Sequence, residues 1–158
     1  MLLIFIDILT IIIVIWIIVT IIKIVKENKN LKKMKASGDP AQYLLVAQHY
    51  YKAEKFKDAI VWFEKAAQGG LPEAFYELSL CYDLPNSNIQ NKEKAFQYCL
   101  EAAKQGVDKA QYRIGCCFEN GIGTTKDLNE ALHWFEEAMK NGNKLAALKA
   151  EKIKTKKE

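Results

Sequence analysis

Four sets of residues recur along this chain at one step of 36. They are Ala59, Ala95 and Ala131; Trp62, Tyr98 and Trp134; Ala66, Ala102 and Ala138; and Gly70, Gly106 and Gly142. Self-similarity at a fixed period between twenty and fifty residues is the signature of units that stack side by side, each burying its apolar face on the next. That constraint acts before any local propensity. It also bears on function, because stacked helical repeats form extended binding surfaces along their length.

Each period reads as two helices. Gly and Pro are sparse, 8 and 3 in the chain, and no segment alternates as a strand would. The first helices carry a small residue beside bulky ones: Val46-Ala47 with Tyr50, Leu78-Ser79 with Tyr82, and Ile114-Gly115 with Phe118. A small residue lets two helix backbones approach, and the aromatic three positions on fills the space beside them. In the second helices Ala59, Trp62, Phe63 and Ala66 recur at three and four residues, which gathers them on one face. Ala95, Tyr98, Cys99 and Ala102 repeat that pattern, and so do Ala131, Trp134, Phe135 and Ala138. Gly70, Gly106 and Gly142 are placed to end these helices in the left-handed conformation. Asp127 with Glu130 forms a candidate capping box, and Asn91 a candidate cap one period earlier.

From Ala110 to Gly142 the stretch AQYRIGCCFENGIGTTKDLNEALHWFEEAMKNG resembles a Sel-one-like repeat, a relative of the tetratricopeptide repeat. Its Ile-Gly pair, aromatic, Gly-x-Gly loop, Asp, Ala, Trp and final Gly stand in the order that family shows. The preceding repeat keeps the frame but replaces the glycine loop with DLPNSNIQN. In the first, Ala47 to Ala59 is 12 residues, against 16 for Ser79 to Ala95 and for Gly115 to Ala131; that shorter connection is similar to an ordinary tetratricopeptide repeat. The resemblance implies an all-α, right-handed α-solenoid of three helix-turn-helix repeats, at 39–71, 72–107 and 108–143, closed by a capping helix and basic tail at 144–158.

The resemblance also implies that the first helices line a concave surface where a protein or peptide partner binds. Carried onto this chain, it places Leu44, Gln48 and Tyr51 there from the first repeat, and Tyr76, Leu80 and Asp83 from the second. Lys109, Tyr112, Cys116 and Glu119 follow from the third. Tyr76 and Tyr112, one period apart, either grip a partner with a rigid apolar face and a hydroxyl or simply cover the edge of the core. Some secreted relatives carry two cysteines per repeat that bridge adjoining helices. The matching positions here hold Ala66, Ala67, Ala102 and Ala103, so that arrangement is absent. Cys81, Cys99 and Cys117 read as small core residues, Cys116 as groove-facing, and reduced thiols suit the cytoplasm.

The chain opens with LLIFIDILTIIIVIWIIVTII, Leu2 to Ile22, long enough at about 1.5 Å per residue to cross roughly 30 Å of hydrocarbon. A secretory signal peptide is the competing reading, but it needs basic residues before the apolar run and a small-residue cleavage site after it. No Lys or Arg precedes the run, whereas Lys23, Lys26, Lys29, Lys32, Lys33 and Lys35 follow. The expectation is therefore a transmembrane helix at 1–25 and a lysine-rich linker at 26–38. By the positive-inside bias, the N-terminus lies outside and the repeats lie in the cytoplasm. Asp7, near the outer end of the span, reaches the headgroup region with a small shift in register.

Between Asp39 and Leu148 there are 12 Lys and Arg against 15 Asp and Glu, a mildly acidic body without the basic, aromatic-laced face of a nucleic-acid binder. Gly121-Ile122-Gly123 lacks the further glycines and the preceding strand of a nucleotide loop. His49 and His133 have no nucleophile to serve and no ligand at metal spacing. No catalytic residue, cofactor, metal or small-molecule substrate is expected. The expected function is a membrane-anchored scaffold or adaptor for protein partners. The alternatives are a periplasmic or exported factor, for host interaction or immunity, and a small subunit of a membrane complex. The Ile-, Lys- and Asn-rich usage points to a bacterial source.

Overall fold

A computed structural model describes residues 2–85 and 87–155, with side chains described from residue 12 onward. Eight helices account for nearly all of these residues. They divide into two compact units, Met1–Gly38 and Asp39–Glu158.

The first unit is the helix α1, Leu2–Lys35. Its described isoleucines, valines and Trp16 are exposed around the whole circumference rather than gathered in one stripe. The transmembrane expectation requires correction here. Among the described residues no helix is long and apolar enough to cross a membrane. The single-pass anchor at 1–25, its N-out orientation and the cytoplasmic placement of the repeats are accordingly withdrawn. Asp7 lies outside the residues whose side chains are described.

The second unit contains seven helices: α2 Pro40–Lys52, α3 Phe56–Gln68, α4 Pro72–Tyr82, α5 Lys92–Lys104, α6 Asp108–Asn120, α7 Leu128–Lys140 and α8 Lys144–Thr155. Each packs on its neighbours in sequence, most closely within the pairs α2–α3, α4–α5 and α6–α7. The result is an α-solenoid. Its core is the alanine face read from the period: Ala59, Ala66, Ala95, Ala102, Ala131 and Ala138 are all buried.

Helix pairs close on the small residues. Ala47, Ser79 and Gly115 are fully or largely buried, opposite Phe63, Cys99 and Phe135, which are wholly buried. A methyl added at Gly115 would lie 2.6 Å from the Phe135 ring, so the smallest residue faces a large partner. At that contact a small residue makes room for a large ring, as close-packed interiors require.

Two backbone devices recur in all three repeats. After each second helix the chain turns through a left-handed glycine, Gly70 (φ 87), Gly106 (φ 89) and Gly142 (φ 86). The next residue donates back across the turn: Leu71 N–H to Ala66 C=O, Val107 to Ala102 and Asn143 to Ala138. This Schellman geometry satisfies carbonyls that a helix end leaves open. Inside each repeat a second bond closes the connection between helices, whatever its length. Lys55 N–H donates to Tyr50 C=O (3.0 Å), Asn91 to Tyr82 (2.8 Å) and Asp127 to Phe118 (2.9 Å).

That bond changes the reading of the capping box. The Asp127 carboxylate accepts from the backbone of Asn129 and Glu130, and Asn91 caps α5 by accepting from Lys94. The Asp127 N–H, however, is taken by Phe118 C=O, so the reciprocal half of a box with Glu130 has no donor left to accept.

Candidate functional site

The first helices present residues at equivalent positions, one per repeat. Leu44 of α2, Tyr76 of α4 and Tyr112 of α6 form one such row, and Leu148 of α8 continues it 36 residues on. Tyr76 and Tyr112 are half-buried, and both line a cavity of about 390 Å³ together with Lys109, Arg113, Cys116 and Asn143. Four of the ten groove residues expected from sequence therefore meet in one place. Tyr112 leans on Phe135 with ring centroids 5.8 Å apart, and Tyr76 borders the core around Ile114 and Trp134. Each tyrosine thus covers core with one part and faces the cavity with another.

The other expected residues are distributed differently. Tyr51 packs its ring edge-on against Phe56 and Phe63, at 5.3 and 6.5 Å, and acts as a core residue at the rim. Leu44 packs against the same first core cluster. Gln48 and Leu80 are half-buried on α2 and α4, away from that cavity. Asp83 and Glu119 are engaged in ion pairs. Asp83 binds Arg113, and also Lys92 at 2.5 Å; Glu119 binds Lys149 at 2.7 Å.

Those pairs are themselves periodic. Asp83–Arg113 and Glu119–Lys149 each join residues 30 apart, linking the end of one first helix to the middle of the next. They form rungs between adjacent repeats. Burial alone would raise the Asp83 carboxyl, but the Lys92 hydrogen bond and the Arg113 and Lys92 charges outweigh it and hold the group below the ordinary carboxylate range. At the first junction the same positions hold Tyr51 and Glu77. Burial lifts the Glu77 carboxyl, with the exposed Lys109 opposing. Among the described residues no ion pair is formed by Glu77.

Sequence reasoning missed Arg113, Lys149 and Glu77. The signal was present as an acid–base spacing of 30 that occurs at two junctions and fails at the first. The C-terminal helix α8 is expected as a cap that shields the last repeat on one side and faces water on the other. Glu151 and Lys154 do stand where Gly115 and Phe118 meet the next helix, which leaves the end of the stack polar. Leu148, one period after Tyr112, and Leu145 are nevertheless 64% and 60% exposed, so the cap carries exposed apolar residues.

The thiols have no reactive setting. Cys81, Cys99 and Cys117 are buried, Cys116 lines the cavity, and all four are free. Burial pushes Cys81 and Cys99 up to about 12, so they carry negligible thiolate near neutral pH. Burial also raises Cys116, against the effect of its hydrogen bond with Tyr112. Among the described residues no group of three His, Cys, Asp or Glu side chains is placed to hold a metal ion.

Paired helices, periodic glycine turns and inter-repeat rungs define a helical repeat protein of the tetratricopeptide-like class, whose members are typically scaffolds for protein–protein interaction. The Sel1 repeat family matches residues 52–71, 72–107 and 108–143, and the chain belongs to that family. A Sel1 repeat protein from Oxalobacter formigenes is 30% identical, with 80% of this chain and 98% of that one aligned at a TM-score of 0.68. Helicobacter pylori cysteine rich protein B shares the fold at 18% identity, covering 75% of this chain and 93% of its own, TM-score 0.58. YrrB, a tetratricopeptide repeat protein described as having an unusual peptide-binding site, shares it at 21% identity, covering 85% and 73%, TM-score 0.53. No curated protein matches the chain in sequence.

Proposed function

We propose that this protein is a non-catalytic scaffold or adaptor that holds a protein or peptide partner on the inner face of its repeats. The repeats are assigned to 39–71, 72–107 and 108–143, with 144–158 as the cap. The observation that carries the reading is the row Leu44, Tyr76, Tyr112 and Leu148, with its two tyrosines opening onto a single cavity. Tyrosine gives contact area at small entropic cost and a hydroxyl that selects polar neighbours, which is why it anchors recognition surfaces. The other ten-residue groove members are assigned a graded role: Lys109 and Cys116 border the contact, while Leu44, Gln48, Tyr51, Leu80, Asp83 and Glu119 shape its floor and edges. A peptide as the bound element is supported by the description of YrrB, which has the same fold.

The test is capture of partners by crosslinking, comparing the natural chain with Tyr76→Ala/Tyr112→Ala. Both side chains lie at the edge of the core, so the double variant is expected to keep its helical circular dichroism and lose at least tenfold in captured partner. A folded double variant that captures its partners undiminished would reject the inner face as the binding surface.

A further inference from the structure

The rungs between repeats are acid–base pairs at two junctions and not at the first. Arg113 answers Asp83, and Lys149 answers Glu119, but the residue at their position on α4 is Glu77, and it faces Tyr51. Beside it lies a cavity of about 320 Å³ whose lining includes Glu73, Tyr76, Glu77, Asp108 and Lys109, so three carboxylates stand against one ammonium. Tyr76 belongs both to this cavity and to the one it shares with Tyr112. An apolar row and an acidic recess therefore adjoin each other at Tyr76, with Lys109 also lining both.

The geometry points to a partner segment of definite chemistry: a peptide of a partner protein that lays an aliphatic or aromatic residue on Tyr76 and Tyr112 and places a Lys or Arg beside Glu77. This rests on the inner-face reading above and deepens it. The reason is charge complementarity. A half-buried carboxylate is costly without a counter-ion; the rung acids Asp83 and Glu119 each have one, whereas Glu77 forms no ion pair among the described residues. The raised Glu77 carboxyl fits a group short of positive charge, since Lys109 only partly offsets burial. Exchange of a base for an acid at this rung would gain nothing for packing, because the rung pairs with Tyr51, which is already seated on Phe56 and Phe63. Its effect falls on what approaches from the groove. An incoming cation also meets Tyr76 at short range, where a ring face adds attraction for a guanidinium or ammonium.

The experiment selects short random peptides displayed on phage against the immobilised full chain, then measures the selected peptides against three variants. Selected sequences are expected to carry one Lys or Arg next to an apolar residue. Glu77→Gln, nearly isosteric, should weaken them by about tenfold or more, as loss of a charge-assisted contact does. Glu77→Lys, which restores the base found at the other rungs, should move selection toward peptides with Asp or Glu. Peptides that bind through Tyr76 and Tyr112 but lack a basic residue, or that ignore Glu77→Gln, would overturn this inference and leave the inner-face reading standing. Peptides unaffected by Tyr76→Ala/Tyr112→Ala, or no selected peptide at all, would overturn both.

Discussion

The first and third repeats make the same turn between their helices by opposite means. In the third, residues 121–127 form a long connection with Gly121 (φ 71) and Gly123 (φ 67) in left-handed conformations and a capping carboxylate at its end. In the first, residues 53–55 suffice, the left-handed position is occupied by Glu54 (φ 58), and Lys55 at the cap makes no side-chain hydrogen bond. Both end on the same closing bond, from the cap residue's N–H to the aromatic's carbonyl. The closing bond is therefore the invariant, and the glycines are what a longer loop needs to reach it. The comparison can be broken most sharply in the third repeat.

Gly123 lies against the start of α5, where an added Cβ would sit 2.1 Å from the Lys92 carbonyl oxygen and 2.9 Å from Phe96 Cβ. The obstacle is mainly backbone, so it cannot turn aside, and the positive φ adds its own penalty. Gly123→Ala is expected to cost about 2–4 kcal/mol of unfolding free energy in denaturant titration. Ser87, one period earlier, already carries a Cβ, and Ser87→Ala should stay within about 0.5 kcal/mol. Equal costs at the two positions would mean that the loop does not dock on α5 as described.

Caps give the next largest effect. Asp127 satisfies two open N–H groups of α7, so Asp127→Ala should lose about 1 kcal/mol. Lys55→Ser supplies the missing cap to α3 and is expected to gain up to about 1 kcal/mol, provided the closing bond to Tyr50 persists. Thermal unfolding of the two variants should move in opposite directions. A shared direction would show that the two connections do not differ by capping.

The fold was legible wherever the period acted on packing. Alanines at 59, 95 and 131 and glycines at 70, 106 and 142 repeat because each must do the same thing against the next unit, and sequence periodicity reports that directly. The site was legible only in part. Tyr76 and Tyr112 share a row because a 36-residue step separates them, and Lys109 and Cys116 line the same cavity. The contacts of Tyr51 and Asp83 were not legible from the period, because their neighbours come from a different spacing. Tyr51 is seated on Phe56 and Phe63 across the short connection, and Asp83 is bound to Arg113 across a junction. A pattern that repeats with the unit reveals what each unit does alike; contacts between units carry the exceptions, and Glu77 is one. The membrane-anchor expectation does not hold, since among the described residues no helix is long and apolar enough to cross a membrane.

The smallest expected effect has the opposite sign and tests the short connection itself. Glu54 is the one non-glycine residue with positive φ among those described, and it is exposed. A side chain in that region costs about 1 kcal/mol through the clash of Cβ with the backbone carbonyl. Glu54→Gly removes the clash but enlarges the freedom of the unfolded chain, which offsets part of the gain. The net should be a stabilisation of about 0.5 kcal/mol, read as a higher denaturant midpoint at unchanged slope. The same change to alanine keeps the Cβ and should leave stability near its starting value. If glycine lowers the midpoint instead, residue 54 does not hold the left-handed conformation in solution, and the two connections would be less alike in how they reach their closing bonds than their shared geometry implies.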